Sequence, residues 1–115
     1  MQQLKIYQKI YDMIIYGHIC LKNFPKHEKH VMAADIRRSM YRLLQLAVSA
    51  NKKRYKKPLL NDMDTELDIL RTLIRLASDE KLKYLSIKKY ENWSKMLCEI
   101  GRMLGGWMKS SGNRP

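Results

Sequence analysis

A chain of 115 residues is long enough for one domain with one hydrophobic core. Its 45% hydrophobic content excludes a disordered chain, and its longest apolar stretch, residues 13–21, contains Gly17 and His18 and is too short to span a bilayer. Lys and Arg number 23 against 11 Asp and Glu, so the net charge of +12 favours a polyanionic partner, nucleic acid ahead of an anionic membrane, although charge alone does not separate the two.

Four helices are predicted in chain order, and no alternating strand pattern is present. The first is expected from about Gln3 to Lys22. It has two adjacent apolar seams: Leu4, Tyr7, Tyr11, Ile14, His18 and Leu21, and beside them Ile6, Ile10, Met13, Gly17 and Cys20. Two seams give a wide apolar face instead of a coiled-coil stripe. Asn23-Phe24-Pro25 breaks this helix.

The second helix is expected over about Lys26 to Lys53, with Ile36, Met40, Leu43 and Ala47 as its inner row, widened by Leu44 and Val48. A basic linker, residues 52–58, closes it. The third spans about Leu59 to Lys83, with Met63, Leu67, Leu70, Ile74 and Ala77 in one row and Ile69, Leu73 and Leu76 in a parallel one. Ser86 is the expected N-cap of the fourth, which carries Tyr90, Trp93, Leu97, Ile100, Leu104 and Trp107 to about Lys109.

Short connections between amphipathic helices predict an all-α, up-down-up-down four-helix bundle over residues 1–109 with a polar tail over 110–115. The alternative is a looser helical domain that closes its core only on oligomerising. The double seams favour surplus buried surface and a self-associating bundle.

Glycine in a helix interior costs roughly 0.8–1 kcal/mol relative to alanine, so Gly101, Gly105 and Gly106 in the fourth helix imply close approach of another backbone. Gly101 and Gly105 lie one turn apart and share an expected smooth strip beside Ile100, Leu104 and Trp107. The strip is expected to meet the first helix of the same chain, with a neighbouring subunit as the alternative.

Charge is uneven along the chain. Residues 1–25 carry +2, residues 26–58 carry +8, residues 59–85 carry −2 and residues 86–115 carry +4. Arg37, Arg38 and Arg42 lie within about a turn and a half of the second helix, and Arg38 and Arg42 share a face. Lys52, Lys53, Arg54, Lys56 and Lys57 then cluster around Tyr55. Several cations with an aromatic among them suit backbone phosphates and a stacked base. Dipole complementarity accounts for a few lysines at a helix end and for Asp62, Asp64 and Glu66 at the next helix start, but not for five cations in six positions. No sequence-reading motif is present. Glu91, Lys95, Glu99 and Arg102, and separately Asp68 and Arg71, read as surface ladders, with Arg71 and Arg75 a weaker extension of the basic surface.

Catalytic patterns are missing, and no enzyme, metal or cofactor is expected. His27 and His30 offer a two-ligand step with no third ligand, and His18 on an apolar seam reads as a satisfied core histidine. The glycines match no phosphate-binding loop. Cys20 and Cys98 match no metal or redox spacing and read as free, buried thiols. Lys5, Lys9 and Asp12 interrupt any signal-peptide core, so a cytoplasmic location is expected.

The run Glu99-Ile100-Gly101-Arg102-Met103-Leu104-Gly105-Gly106-Trp107-Met108 resembles the C-terminal signature of the accessory variability determinant (Avd) proteins of diversity-generating retroelements. Leu70-Arg71-Thr72-Leu73-Ile74-Arg75-Leu76-Ala77 is similar to that family's third helix, and Ile6-Tyr7-Gln8-Lys9 and the basic loop near Tyr55 extend the likeness over nearly the whole chain. The resemblance implies a basic four-helix bundle that assembles into a homopentameric barrel. It also implies a partner, the retroelement's reverse transcriptase, and binding to RNA or DNA during mutagenic cDNA synthesis, with no catalytic centre. Small four-helix proteins encoded by intervening sequences in large-subunit ribosomal RNA genes share the fold, so a self-assembling scaffold without a polymerase partner is the alternative. A reverse transcriptase gene beside near-identical repeats, or a ribosomal RNA operon as host, distinguishes them.

Overall fold

The computed structural model describes residues 2–112. Its helices are α1 (Gln2–Leu21), α2 (Met32–Lys52), α3 (Lys57–Ala77) and α4 (Ile87–Gly112), with a short 3-10 turn at Lys26–Glu28 between the first two. Each helix packs on its neighbours in sequence and α4 closes back on α1, so α1 and α3 stand at opposite corners of a four-helix bundle measuring 48 × 23 × 20 Å. No helix among the described residues is long and apolar enough to cross a membrane.

The core follows the predicted rows most closely in α3 and α4. Met63, Leu67, Leu70, Ile74 and Ala77 are all fully buried, as are Trp93, Leu97, Ile100 and Leu104. On α1 only the second seam is wholly interior: Ile6, Ile10, Met13, Gly17 and Cys20 are buried, whereas Tyr11 of the first seam is exposed. His18 is half-buried on the flank of α1, with its Nε2 2.7 Å from the Tyr41 hydroxyl, and is not a core histidine. On α2 the exposed Val48 does not widen the inner row, which is completed by Ala33, Leu46 and Ala50. The parallel row of α3 also stays outside, since Ile69 and Leu76 are exposed.

Two helix boundaries at the bundle end away from the α2–α3 loop differ from expectation. The second helix begins at Met32, because the chain turns first to bury Phe24 at the bundle end. Pro25 starts a 3-10 turn, Glu28 N–H donates to the Pro25 carbonyl, and the Glu28 carboxylate accepts from the Met32 N–H at 3.2 Å. The third helix ends at Ala77, because its carbonyl accepts from both Tyr84 N–H and Leu85 N–H, at 2.9 and 3.0 Å. Lys83 takes a positive φ of 54° in that reversal, which carries Leu85 into the core. Ser86 caps α4 as expected, its Oγ accepting from Lys89 N–H at 3.2 Å. The helix continues past Lys109 to Gly112, and residues 113–115 of the expected tail lie outside the described residues.

Candidate nucleic-acid interface

The loop between α2 and α3 is built on one lysine. The last carbonyls of any helix lack intrahelical partners. Here the Lys56 ammonium turns back and donates to Ala50 O at 2.8 Å, Asn51 O at 3.4 Å and Lys53 O at 2.5 Å. A cation at a helix C-terminus is also favoured by the macrodipole. Lys53 leaves the helix in an extended conformation, and Pro58 stands in the first turn of α3, where its missing N–H costs nothing. The loop is therefore short and internally braced.

Lys52, Lys53, Arg54, Tyr55 and Lys57 all project into solvent, Tyr55 with 71% of its surface exposed. No carboxylate lies in ion-pair contact with any of these four cations among the described residues. The acids at the start of α3 make no ion pair with them. Because α3 begins at Lys57, Asp62 and Asp64 sit beyond its first turn, where dipole complementarity has faded.

The arginines of α2 are placed differently. Arg37 donates to Lys29 O at 3.1 Å, tying the helix to the preceding turn. Arg38 pairs with Asp35 at 2.5 Å in an exposed i,i+3 contact. Arg38 and Arg42 line an open cleft of about 510 Å³ between α2 and α3, with Glu66, Ile69 and Leu73 opposite. Ser39 donates to Glu66 across the same seam at 2.7 Å. From Arg42 to Lys52 is about 15 Å of helix at 1.5 Å per residue, so the arginines and the loop are separate patches. Arg71 pairs with Asp68 as expected and also reaches Leu97 O at 3.4 Å on α4, so its charge is engaged within the bundle.

The up-down topology adds cations that spacing along the chain does not reveal. The N-terminal turns of α1 and the C-terminal turns of α4 stand at the same end of the bundle as the loop. Between them Lys5, Lys9 and Arg102 rim a second cleft of about 510 Å³, into which Gly106 opens. Glu99 at its edge pairs with Arg102.

The expected contact of the glycine strip with α1 of the same chain does not form. A Cβ on Gly101 would meet Arg71 and Leu67 of α3, not α1, and one on Gly105 would meet nothing within 4 Å. Trp107 is buried beside them. The glycine that lets α1 pack closely is Gly17, where a Cβ would stand 2.5 Å from Met40 Sδ and 2.9 Å from Trp93 Cζ2. Cys20 is buried as expected, but Cys98 is exposed. His27 Nε2 lies 3.5 Å from the Tyr84 hydroxyl, and no three potential metal ligands converge among the described residues.

These features define a small basic four-helix bundle that presents a braced cationic loop to solvent. The chain belongs to the bAvd-like family, whose model matches residues 4–111. That span takes in all four helices and agrees with the resemblance read from the fourth. No curated protein matches the chain.

Proposed function

We propose that the chain is the non-catalytic accessory protein of a diversity-generating retroelement. In this reading it self-assembles as a pentamer, partners the reverse transcriptase, and holds RNA or DNA during mutagenic cDNA synthesis. Family membership over residues 4–111 supports the accessory role. The observation that carries nucleic-acid contact is the α2–α3 loop: four exposed cations without carboxylate partners around an exposed tyrosine. Lys52, Lys53, Arg54 and Lys57 meet phosphates, and Tyr55 offers a stacking face. Arg38 and Arg42, about 15 Å further along α2, offer a second patch that a strand of a few nucleotides reaches from the loop, and Lys56 shapes the loop from within.

The test is binding of single-stranded RNA and DNA across a salt series. Replacing Lys52, Lys53, Arg54 and Lys57 with Gln is expected to weaken binding and to flatten the salt slope by about 0.7–0.9 for each phosphate that is no longer neutralised. An unchanged slope removes the loop from the interface. Co-purification with the reverse transcriptase encoded beside the gene tests the partnership separately.

A further inference from the structure

The helices at opposite corners of the bundle each carry a strip of large apolar side chains that stays partly outside the core, the α3 strip along its flank towards α2. On α1, Tyr11, Ile15 and Ile19 recur at every fourth residue and are 58%, 51% and 47% exposed. They lie on one outer face, because the inner face of the same helix is filled by Ile6, Ile10, Met13, Gly17 and Cys20. On α3, Ile69 and Leu76 are 45% and 47% exposed, with half-buried Leu73 between them. Isolated apolar residues on a surface are ordinary, but aligned large side chains on one helix face mark contact surfaces.

The charges around the two strips are complementary. Lys5 and Lys22 bracket the α1 strip, and Asp62 and Asp79 bracket the α3 strip at an equal separation along the chain. All four are exposed and none is in an ion pair among the described residues. Asp12 within the first strip is again opposite in sign to Arg42, which rims the cleft lined by Ile69 and Leu73 together with the paired Arg38 and Asp35 and with Glu66, itself hydrogen-bonded to Ser39. A face with cations at both ends thus meets one with acids at both ends.

We propose that these faces are the two halves of one interface between copies of this chain, the α1 strip of one copy lying on the α3 strip of the next. This rests on the self-assembly reading above and adds to it the surfaces that meet. Because the halves differ, the contact is heterologous. Because α1 and α3 stand at opposite corners, one copy binds two neighbours at once, and association proceeds head to tail until the ring closes.

Light scattering on the full chain tests this, with circular dichroism to confirm that each variant is folded. The wild type is expected to be larger than a dimer. Ile15→Glu and Ile69→Glu, each alone, are expected to be folded monomers. Mixed in equal amounts at high micromolar concentration they are expected to form a one-to-one dimer, since the intact α3 strip of the first still fits the intact α1 strip of the second. Tyr11→Glu and Leu76→Glu serve in the same design if either of the first pair does not fold. Reversing the charges at Lys5 and Lys22 is expected to dissociate the assembly, and reversing Asp62 and Asp79 in the same chain is expected to restore it. An assembly unaffected by either apolar variant overturns the proposal, as does a mixture that stays monomeric. Loss of assembly in Ile15→Glu with none in Ile69→Glu indicates a symmetric α1 contact or a different partner for α3, and also overturns it. A wild type that is monomeric throughout overturns the self-assembly reading itself.

Discussion

Arg71 reaches from α3 into the space left by the missing side chain of Gly101, its Nη2 2.5 Å from where a Cβ would stand. The same guanidinium pairs with Asp68 at 3.0 Å and lies 3.4 Å from the Leu97 carbonyl. The glycine is therefore matched by a side chain, not by a backbone. Gly101→Ala displaces only the flexible end of Arg71, and the cost of moving it is offset by helix propensity, leaving stability within about 1 kcal/mol of wild type. Gly101→Leu also overpacks Leu67, 3.3 Å from the Cβ position, and is expected to cost about 1–3 kcal/mol. Urea denaturation of the two variants separates these outcomes.

Gly17 and Gly105 are expected to respond in opposite directions to the same change. At Gly17 an added methyl meets the ring of fully buried Trp93 at 2.9 Å and the fully buried Met40, so Gly17→Ala is expected to destabilise by about 1–3 kcal/mol despite its better propensity. Gly105 faces open space, so Gly105→Ala is expected to stabilise by roughly 0.5–1 kcal/mol. Equal midpoint shifts of the same sign would contradict the packing described for α1.

Lys56 and Arg54 separate shaping the loop from contacting a ligand. Lys56→Met removes the ammonium that three carbonyls share and is expected to lower stability by about 1–2 kcal/mol. Arg54→Gln touches nothing inside the protein and is expected to leave stability within about 0.5 kcal/mol of wild type while reducing the salt slope of nucleic-acid binding. Thermal unfolding and a salt titration on both variants check the assignment.

The two thiols are expected to differ in reactivity. Cys20 is fully buried and burial pushes its thiol pKa up, partly opposed by a hydrogen bond with Tyr16, so it stays protonated where an ordinary cysteine ionises. Cys98 is exposed. A thiol reagent at neutral pH is expected to modify one cysteine per native chain, Cys98, and two after unfolding. Burial raises the Tyr7 hydroxyl in the same sense. A raised pKa holds the proton in the native state, so this stabilisation is complete below the unfolded-state pKa and is lost as pH rises through the folded one. Stability is therefore expected to fall above about pH 8.5, and Cys20→Ala is expected to remove the cysteine part of that fall.

What could be read from the chain by itself is what repeats at helical spacing. The rows of α3 and α4, from Met63 to Ala77 and from Tyr90 to Trp107, have a period that fixes one inward face, and all their members are buried as predicted except Tyr90, which is half-buried. The Ser86 cap and the basic run around Tyr55 are equally local, since their neighbours in sequence are their neighbours in space. Tertiary structure alone decided which of the two α1 seams faces the core, because either satisfies the same period and only packing against Met40 and Trp93 selects the one containing Gly17. It also drew Phe24 and Leu85 inward at the cost of two predicted helix ends, turned Lys56 from the solvent onto carbonyls, and gathered Lys5, Lys9 and Arg102 at the end that bears the loop. Periodicity specifies a face of each helix. Which neighbour covers that face, and which apolar strip is left for another molecule, depends on contacts between residues far apart in the chain.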